Sequence, residues 1–201
     1  MKRNSFEISA IFAFLITVII SLCTFESSCS RISGQVLRLH VIAASDSQED
    51  QALKLRIRDK ILECSDDVLK DTTQKNGAER EIANSLEVLR AAAEEEIRKS
   101  GYDYPVKVEL TKTGFPTRTY GNVTLPAGQY NAVRVIIGSG EGKNWWCVMF
   151  PPLCLSAAKK QTGLSDVLNR EELELAESDP KYEVRFWFVE KLEQLKAKKI
   201  F

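Results

Sequence analysis

The sequence predicts a single α+β domain with a mixed sheet, two long helices after the first strand and a helical appendage at the C-terminus. Three observations carry this. A strand-like run at residues 36–42 comes first, two stretches with helical apolar spacing follow it, and from Pro105 the apolar period changes to two. At 201 residues and 44% apolar content the chain can bury one sizeable core. Lys plus Arg equals Asp plus Glu at 28 each, so no global charge draws the chain to nucleic acid or to an anionic surface.

The N-terminus differs from the rest. Lys2 and Arg3 precede an almost wholly apolar run over residues 8–22. About 15 apolar residues suit the hydrophobic region of a signal peptide, whereas a span needs roughly 20. Residues 1–23 are therefore expected to be a signal peptide or an uncleaved anchor, with 24–35 as a linker. Leu22 before Cys23 disfavours a lipoprotein site, where a small residue is wanted. The exported part would carry 26 bases and 27 acids. It would hold Cys29, Cys64, Cys147 and Cys154, and four cysteines allow three full pairings.

In residues 36–42, Leu37, Leu39 and Val41 alternate, which predicts a strand with a buried face. Ser45-Asp46-Ser47-Gln48-Glu49 then offers capping oxygens, with capping-box spacing at Ser45/Gln48 or Asp46/Glu49, and opens a helix over about 47–71. Leu53, Ile57, Ile61, Cys64 and Val68 form one stripe and Leu55, Leu62 and Leu69 another. The helix is either clamped inside the fold or presents its second stripe to a partner. A second helix carries Ile82, Leu86, Leu89, Ala93 and Ile97, with Gly101 placed to end it. The strands expected after it include 106–110, 130–137 and 145–150, the last two joined by a mobile glycine-rich hairpin loop. Residues 156–201 turn charged and helical, with Val184, Phe188, Leu192 and Leu195 on one stripe.

Few residues here carry chemistry. His40 is the only histidine, so a site built on several imidazoles is excluded and no metal or cofactor is expected. A thiol hydrolase using Cys147 with His40 is the rival to a non-enzymatic reading. In the glycine-rich loop Lys143 stands where a P-loop or dinucleotide fingerprint requires glycine. The stretch Trp145-Trp146-Cys147-Val148-Met149-Phe150-Pro151-Pro152-Leu153-Cys154 holds two of the three tryptophans and two of the five cysteines. Alternation on a strand puts Trp145 and Trp146 on opposite sides, one ring for the core and one for a partner. The prolines end the strand and leave open a Cys147–Cys154 disulfide, which needs Cα atoms within about 7 Å.

Several motifs together resemble those of the stage II sporulation protein R family. They are Arg38-Leu39-His40-Val41-Ile42-Ala43-Ala44-Ser45-Asp46-Ser47, Tyr120-Gly121-Asn122-Val123, Leu125-Pro126-Ala127-Gly128-Gln129-Tyr130, and the run from Gly142 to Cys154. The resemblance covers residues 36–155, with Ala44 where the family usually shows Asn and Gln129 for Glu. It implies secretion from the forespore into the space between forespore and mother cell. There such a protein triggers a membrane-embedded aspartic protease that processes the sigma-E precursor, with no catalysis of its own. The expected partner surface is Asn144, Trp145, Trp146, Phe150, Pro151 and Pro152. Membrane contact is expected only through the N-terminal segment if it is uncleaved; an anchored scaffold is a further reading.

Overall fold

The computed structural model describes residues 2–121, 123–152, 168–176 and 191. Helix α1 (Lys2–Gln35) leads directly into strand β1 (Leu37–Ile42). Helices α2 (Gln48–Leu69), α3 (Lys75–Asn84) and α4 (Leu86–Lys99) follow. Then come β2 (Val106–Phe115), a short hairpin of β3 (Arg118–Tyr120) and β4 (Val123–Leu125), β5 (Gly128–Ile137), β6 (Asn144–Phe150) and α5 (Arg170–Ala176).

The main sheet has the order β2-β5-β1-β6. β1 is parallel to β5 and antiparallel to β6, and β2 is antiparallel to β5, so the sheet is mixed, as the sequence predicts. A parallel pair needs a crossover connection, and between β1 and β5 it contains α2, α3, α4, β2 and the β3–β4 hairpin. Leu37, Leu39 and Val41 of β1 and Val133, Val135 and Ile137 of β5 meet Leu53, Ile57 and Ile61 of α2 and Leu89 and Ile97 of α4 in one core.

Leu62 is buried in that core and Leu69 packs against it, so most of the second stripe of α2 is used within the fold. The helix begins one capping residue later than the sequence suggests. Ser47 is the N-cap, and its hydroxyl accepts from Asp50 N at 3.1 Å, with Glu49 and Asp50 favourably placed in the first turn. The second expected helix is broken at Ser85, which leaves helical geometry at φ −106° and ψ 6°. Asn84 and Ser85 are residues whose side chains compete with helical backbone bonding. Beyond α4, Gly101 adopts φ +82°, and the Tyr102 N–H bonds back to Ile97 O at 3.1 Å, closing the helix end.

The opposite sheet face carries a second core. Phe25, Cys29, Ile32 and Val36 pack there with Phe115, Val123, Leu125, Tyr130, Ala132, Val148, Leu175 and Ala176. Residues 24–35, expected as a linker, are thus the inner end of α1. The apolar spacing at 25, 29, 32 and 36 is helical, and it continues the membrane-type run without a break. α5 lies within the C-terminal extension and closes this core, with Arg31 Nε 2.8 Å from Glu172 Oε1. Val184, Phe188, Leu192 and Leu195 lie outside the described residues.

The outer half of α1 projects from the domain, with Ile8, Ile11, Phe12, Phe14 and Leu15 among its exposed side chains. Over Glu7–Gln35 the helix is long and apolar enough to cross a membrane. A chain beginning at Thr24 should therefore unfold in urea at nearly the full-length midpoint. One beginning at Leu37 loses the buried Phe25, Cys29 and Ile32 and should lose more than about 3 kcal/mol. Equal midpoints for the two truncations would show that α1 is not part of the core.

Candidate functional site on the open sheet face

The glycine-rich connection between β5 and β6 is not a hairpin, because β1 lies between those strands. It crosses the C-terminal end of β1 and is pinned there. Gly142 N donates to Ala43 O at 3.0 Å, Ser139 Oγ to Ala44 O at 2.9 Å, and Lys143 N to Asp46 Oδ1 at 2.7 Å. Lys54 Nζ, on the mostly buried side chain of α2, donates to Lys143 O at 3.0 Å. Gly142 is required by close approach, since a Cβ there would stand 2.2 Å from Ser45 O. The motif residues at 43–47 and 139–143 thus form one interlock that sets where β6 begins.

Alternation sends Arg38, His40 and Ile42 of β1 to the face away from α2 and α4. Strand registry then aligns Glu109, Arg134, His40 and Trp146 in one row across all four strands. His40 is only 4% exposed. Its ring stacks on Trp146 with centroids 3.9 Å apart, and its Nε2 lies 2.7 Å from Asn144 Oδ1. That oxygen can only accept, so Nε2 carries the proton and Nδ1 presents a lone pair, which has no partner. Burial, helped by the charges of Arg134 and Arg38 and opposed by the Asn144 bond, brings the imidazole from 6.5 down to about 4. His40 is therefore neutral at physiological pH.

One row deeper, Arg38 is fully buried among aromatic rings. Its guanidinium carbon lies 4.0 Å from the Phe115 centroid, 4.8 Å from Tyr130 and 5.6 Å from Tyr120. Nε donates to Cys147 O at 3.3 Å, and Nη2 donates to the Tyr120 hydroxyl, which itself donates to Trp146 O at 3.1 Å. Burial lowers the Arg38 pKa, while Tyr120 and Tyr130 oppose the shift. Ring faces and hydroxyl and carbonyl oxygens here do the work that a carboxylate does in a buried ion pair.

Trp145 turns to the helical side, half-buried, with the Arg58 guanidinium 4.5 Å from its ring centroid. Trp146 is half-buried on the open face, so the two indoles divide between the faces and neither is wholly core or wholly exposed. Asn144 is exposed and Pro152 half-buried, whereas Phe150 and Pro151 are buried. A register shift between Leu37 and Arg38 lets Phe150 join the helix-side core. Cys147 is disulfide-bonded, Cys23, Cys29 and Cys64 are free, and Cys154 lies outside the described residues. The hydrolase dyad is not assembled. Cys147 is buried on the helix side opposite Leu39, while His40 points to the other face, and a disulfide sulfur is no thiolate nucleophile. Among the described residues, no group of three or more His, Cys, Asp or Glu side chains could hold a metal ion.

Arg38, Glu109 and Arg134 were not singled out by the sequence reading. Leu37-Arg38-Leu39 and Val133-Arg134-Val135 each set one charge inside an apolar alternation, and that is the signal for a polar group facing the far side of a sheet.

The arrangement defines an α+β domain carried on an apolar N-terminal helix, with a polar, ring-lined sheet face where a catalytic dyad had been the rival expectation. The sequence model of stage II sporulation protein R matches residues 33–160, and the chain belongs to that family. It is 38% identical over 185 residues to stage II sporulation protein R of Bacillus subtilis (strain 168), covering 82% of this chain and 83% of that protein. No solved structure matches.

Two outcomes follow for this region. Gly142→Ala forces Ser45 and the loop apart and should cost more than about 2 kcal/mol in urea unfolding; an unchanged midpoint would mean the interlock is not as described. Because His40 has a lower pKa folded than unfolded, its neutral form supports the fold fully above pH 6.5, and that support is lost as pH falls toward about 4. Reduced for water at the open face, the loss is on the order of 1–2 kcal/mol. Unfolding midpoints at pH 7, 5.5 and 4 should show it in the wild type and not in His40→Phe. Parallel pH profiles for the two proteins would contradict it.

Proposed function

We propose that this protein is an exported signal of sporulation that activates a membrane-embedded aspartic protease, which then processes the sigma-E precursor. The observation that carries this reading is membership of the stage II sporulation protein R family across most of the chain. The N-terminal region suits export, because Lys2 and Arg3 precede the apolar run and favour a cytoplasmic N-terminus with the domain on the far side. We place the working location between forespore and mother cell. The protein acts there by contact, stabilising the active state of its partner without chemistry of its own.

The contact surface we assign to the exposed parts of β6 and the turn after it: Asn144, the accessible edges of Trp145 and Trp146, and Pro152. Phe150 and Pro151 support it from below as buried packing. The test is co-expression of the chain with the cognate protease and the sigma precursor in a non-sporulating host, reading precursor size on a blot. Shortening is expected only when the chain is present. Asn144→Ala should cut processing severalfold and cost about 1–3 kcal/mol of stability, since it leaves the buried His40 Nε2–H without its acceptor. No shortening with all three proteins made and correctly localised would refute the activating role.

A further inference from the structure

The main sheet ends on one side at β2, and among the described residues no strand pairs with the outer edge of β2. An open edge offers a row of unpaired N–H and C=O groups, and monomeric proteins blunt such edges with short strands, bulges or internal prolines. β2 has none of these devices. It runs for ten residues, about twice the usual strand length. Its ladder to β5 keeps one register from Val106 to Phe115, and prolines stand only outside its ends, at Pro105 and Pro116. The opposite edge strand, β6, is shorter at seven residues, and its pairing with β1 carries a register shift.

The side chains along this edge decide which strand fits it. Toward the helices, Val106, Val108 and Leu110 are only partly buried against the core, so an added strand would extend their cover. On the other face Lys107 Nζ lies 2.6 Å from Glu109 Oε2, and the edge there carries an ordered pair of opposite charges. A second β2 running antiparallel presents the same pair reversed. With Val108 opposite Val108 of the second copy, each Lys107 faces a Glu109 and each Val106 faces a Leu110. Every Glu109 then stands between its own Lys107 and that of the other copy, with Arg134 Nη1 still 3.5 Å away. Sliding the second strand by two residues either way sets Lys107 against Lys107 or Glu109 against Glu109, which is repulsive. A slip of one residue sets apolar against charged side chains on both faces. The edge is therefore complementary to itself in one register.

We propose that two copies of this chain join edge to edge through β2, making one continuous eight-stranded sheet in the order β6-β1-β5-β2-β2-β5-β1-β6. Backbone hydrogen bonds between the two β2 strands supply the adhesion, and the paired Lys107 and Glu109 side chains fix the register. Both β6 strands remain at the outer ends, so the contact surface assigned above stays free in each copy. The assignment does not rest on protease activation and is tested without it.

The test is sedimentation of the full chain in a density-matched detergent, which gives the number of chains per particle. Two are expected, separating on dilution. Lys107→Glu and Glu109→Lys each set like charges opposite one another at two points, and each alone should weaken dimerisation at least about tenfold. An equimolar mixture of the two variants should regain dimers, because each then complements the other. Arg118→Glu, on the exposed hairpin, should leave the dimer unchanged. If Glu109→Lys fails to fold beside Arg134, Val108→Cys takes its place. It should crosslink to its own copy under mild oxidation far beyond the wild type, whose exposed Cys23 sets the background, and Thr113→Cys should not. One chain per particle at every concentration would overturn the proposal. So would a dimer that Lys107→Glu leaves intact, or a Val108→Cys crosslink no stronger than the wild-type background.

Discussion

β1 is paired on both sides and buried on both faces, and the rest of the chain is arranged around that constraint. Its parallel partner β5 comes roughly ninety residues later, so the intervening chain must cross the sheet, and the apolar stripes of α2, α3 and α4 turn that crossing into the main core. Its antiparallel partner β6 then has to be reached across the C-terminal end of β1. This explains why glycine, and no larger residue, stands at 142, where the loop touches the backbone of residue 45.

The second face is harder to close, because it carries a charge at its centre. Arg38 is accommodated by Phe115, Tyr120 and Tyr130, and these rings lie on β2, the hairpin and β5. A buried guanidinium left without partners would cost several kcal/mol, so its ring and oxygen contacts tie three segments distant in sequence to β1. α1 and α5 complete the same layer through Ile32, Leu175 and the Arg31–Glu172 pair. The helix that can enter a membrane is therefore packed into the domain at its inner end. Where the anchor is retained, the orientation of the domain to the membrane is set by packing and not by a linker.

Much of this was legible in the residues. The change of apolar period at Pro105, the stripe Leu53, Ile57, Ile61 and the alternation of β1 each translate directly into an element and a buried face. The break at Ser85 was not legible, because the apolar stripe runs through it and only local side-chain competition interrupts the backbone. The loop between β5 and β6 was misread as a hairpin, since sequence neighbours usually pair and nothing local reveals that a strand from far upstream lies between them. Residues 24–35, expected as a linker, continue α1 instead, because the helical spacing of Phe25, Cys29 and Ile32 is spread among polar residues and is faint beside the wholly apolar run before it. At the site, His40, Asn144 and Trp146 stood out by residue type. Arg38 and Arg134 became meaningful only once registry placed them in rows with those three.

The account stands or falls on β6 being the working surface of the protein. A photocrosslinking amino acid placed at Asn144 or Pro152, and in separate chains at Glu81 and Lys99 on the helical layer, tests this in cells that make the protease. Crosslinks to the protease from the β6 positions, and none from the helical ones, are the predicted result. Crosslinks from Glu81 or Lys99 with none from β6 would contradict it, moving the contact to the opposite side of the domain.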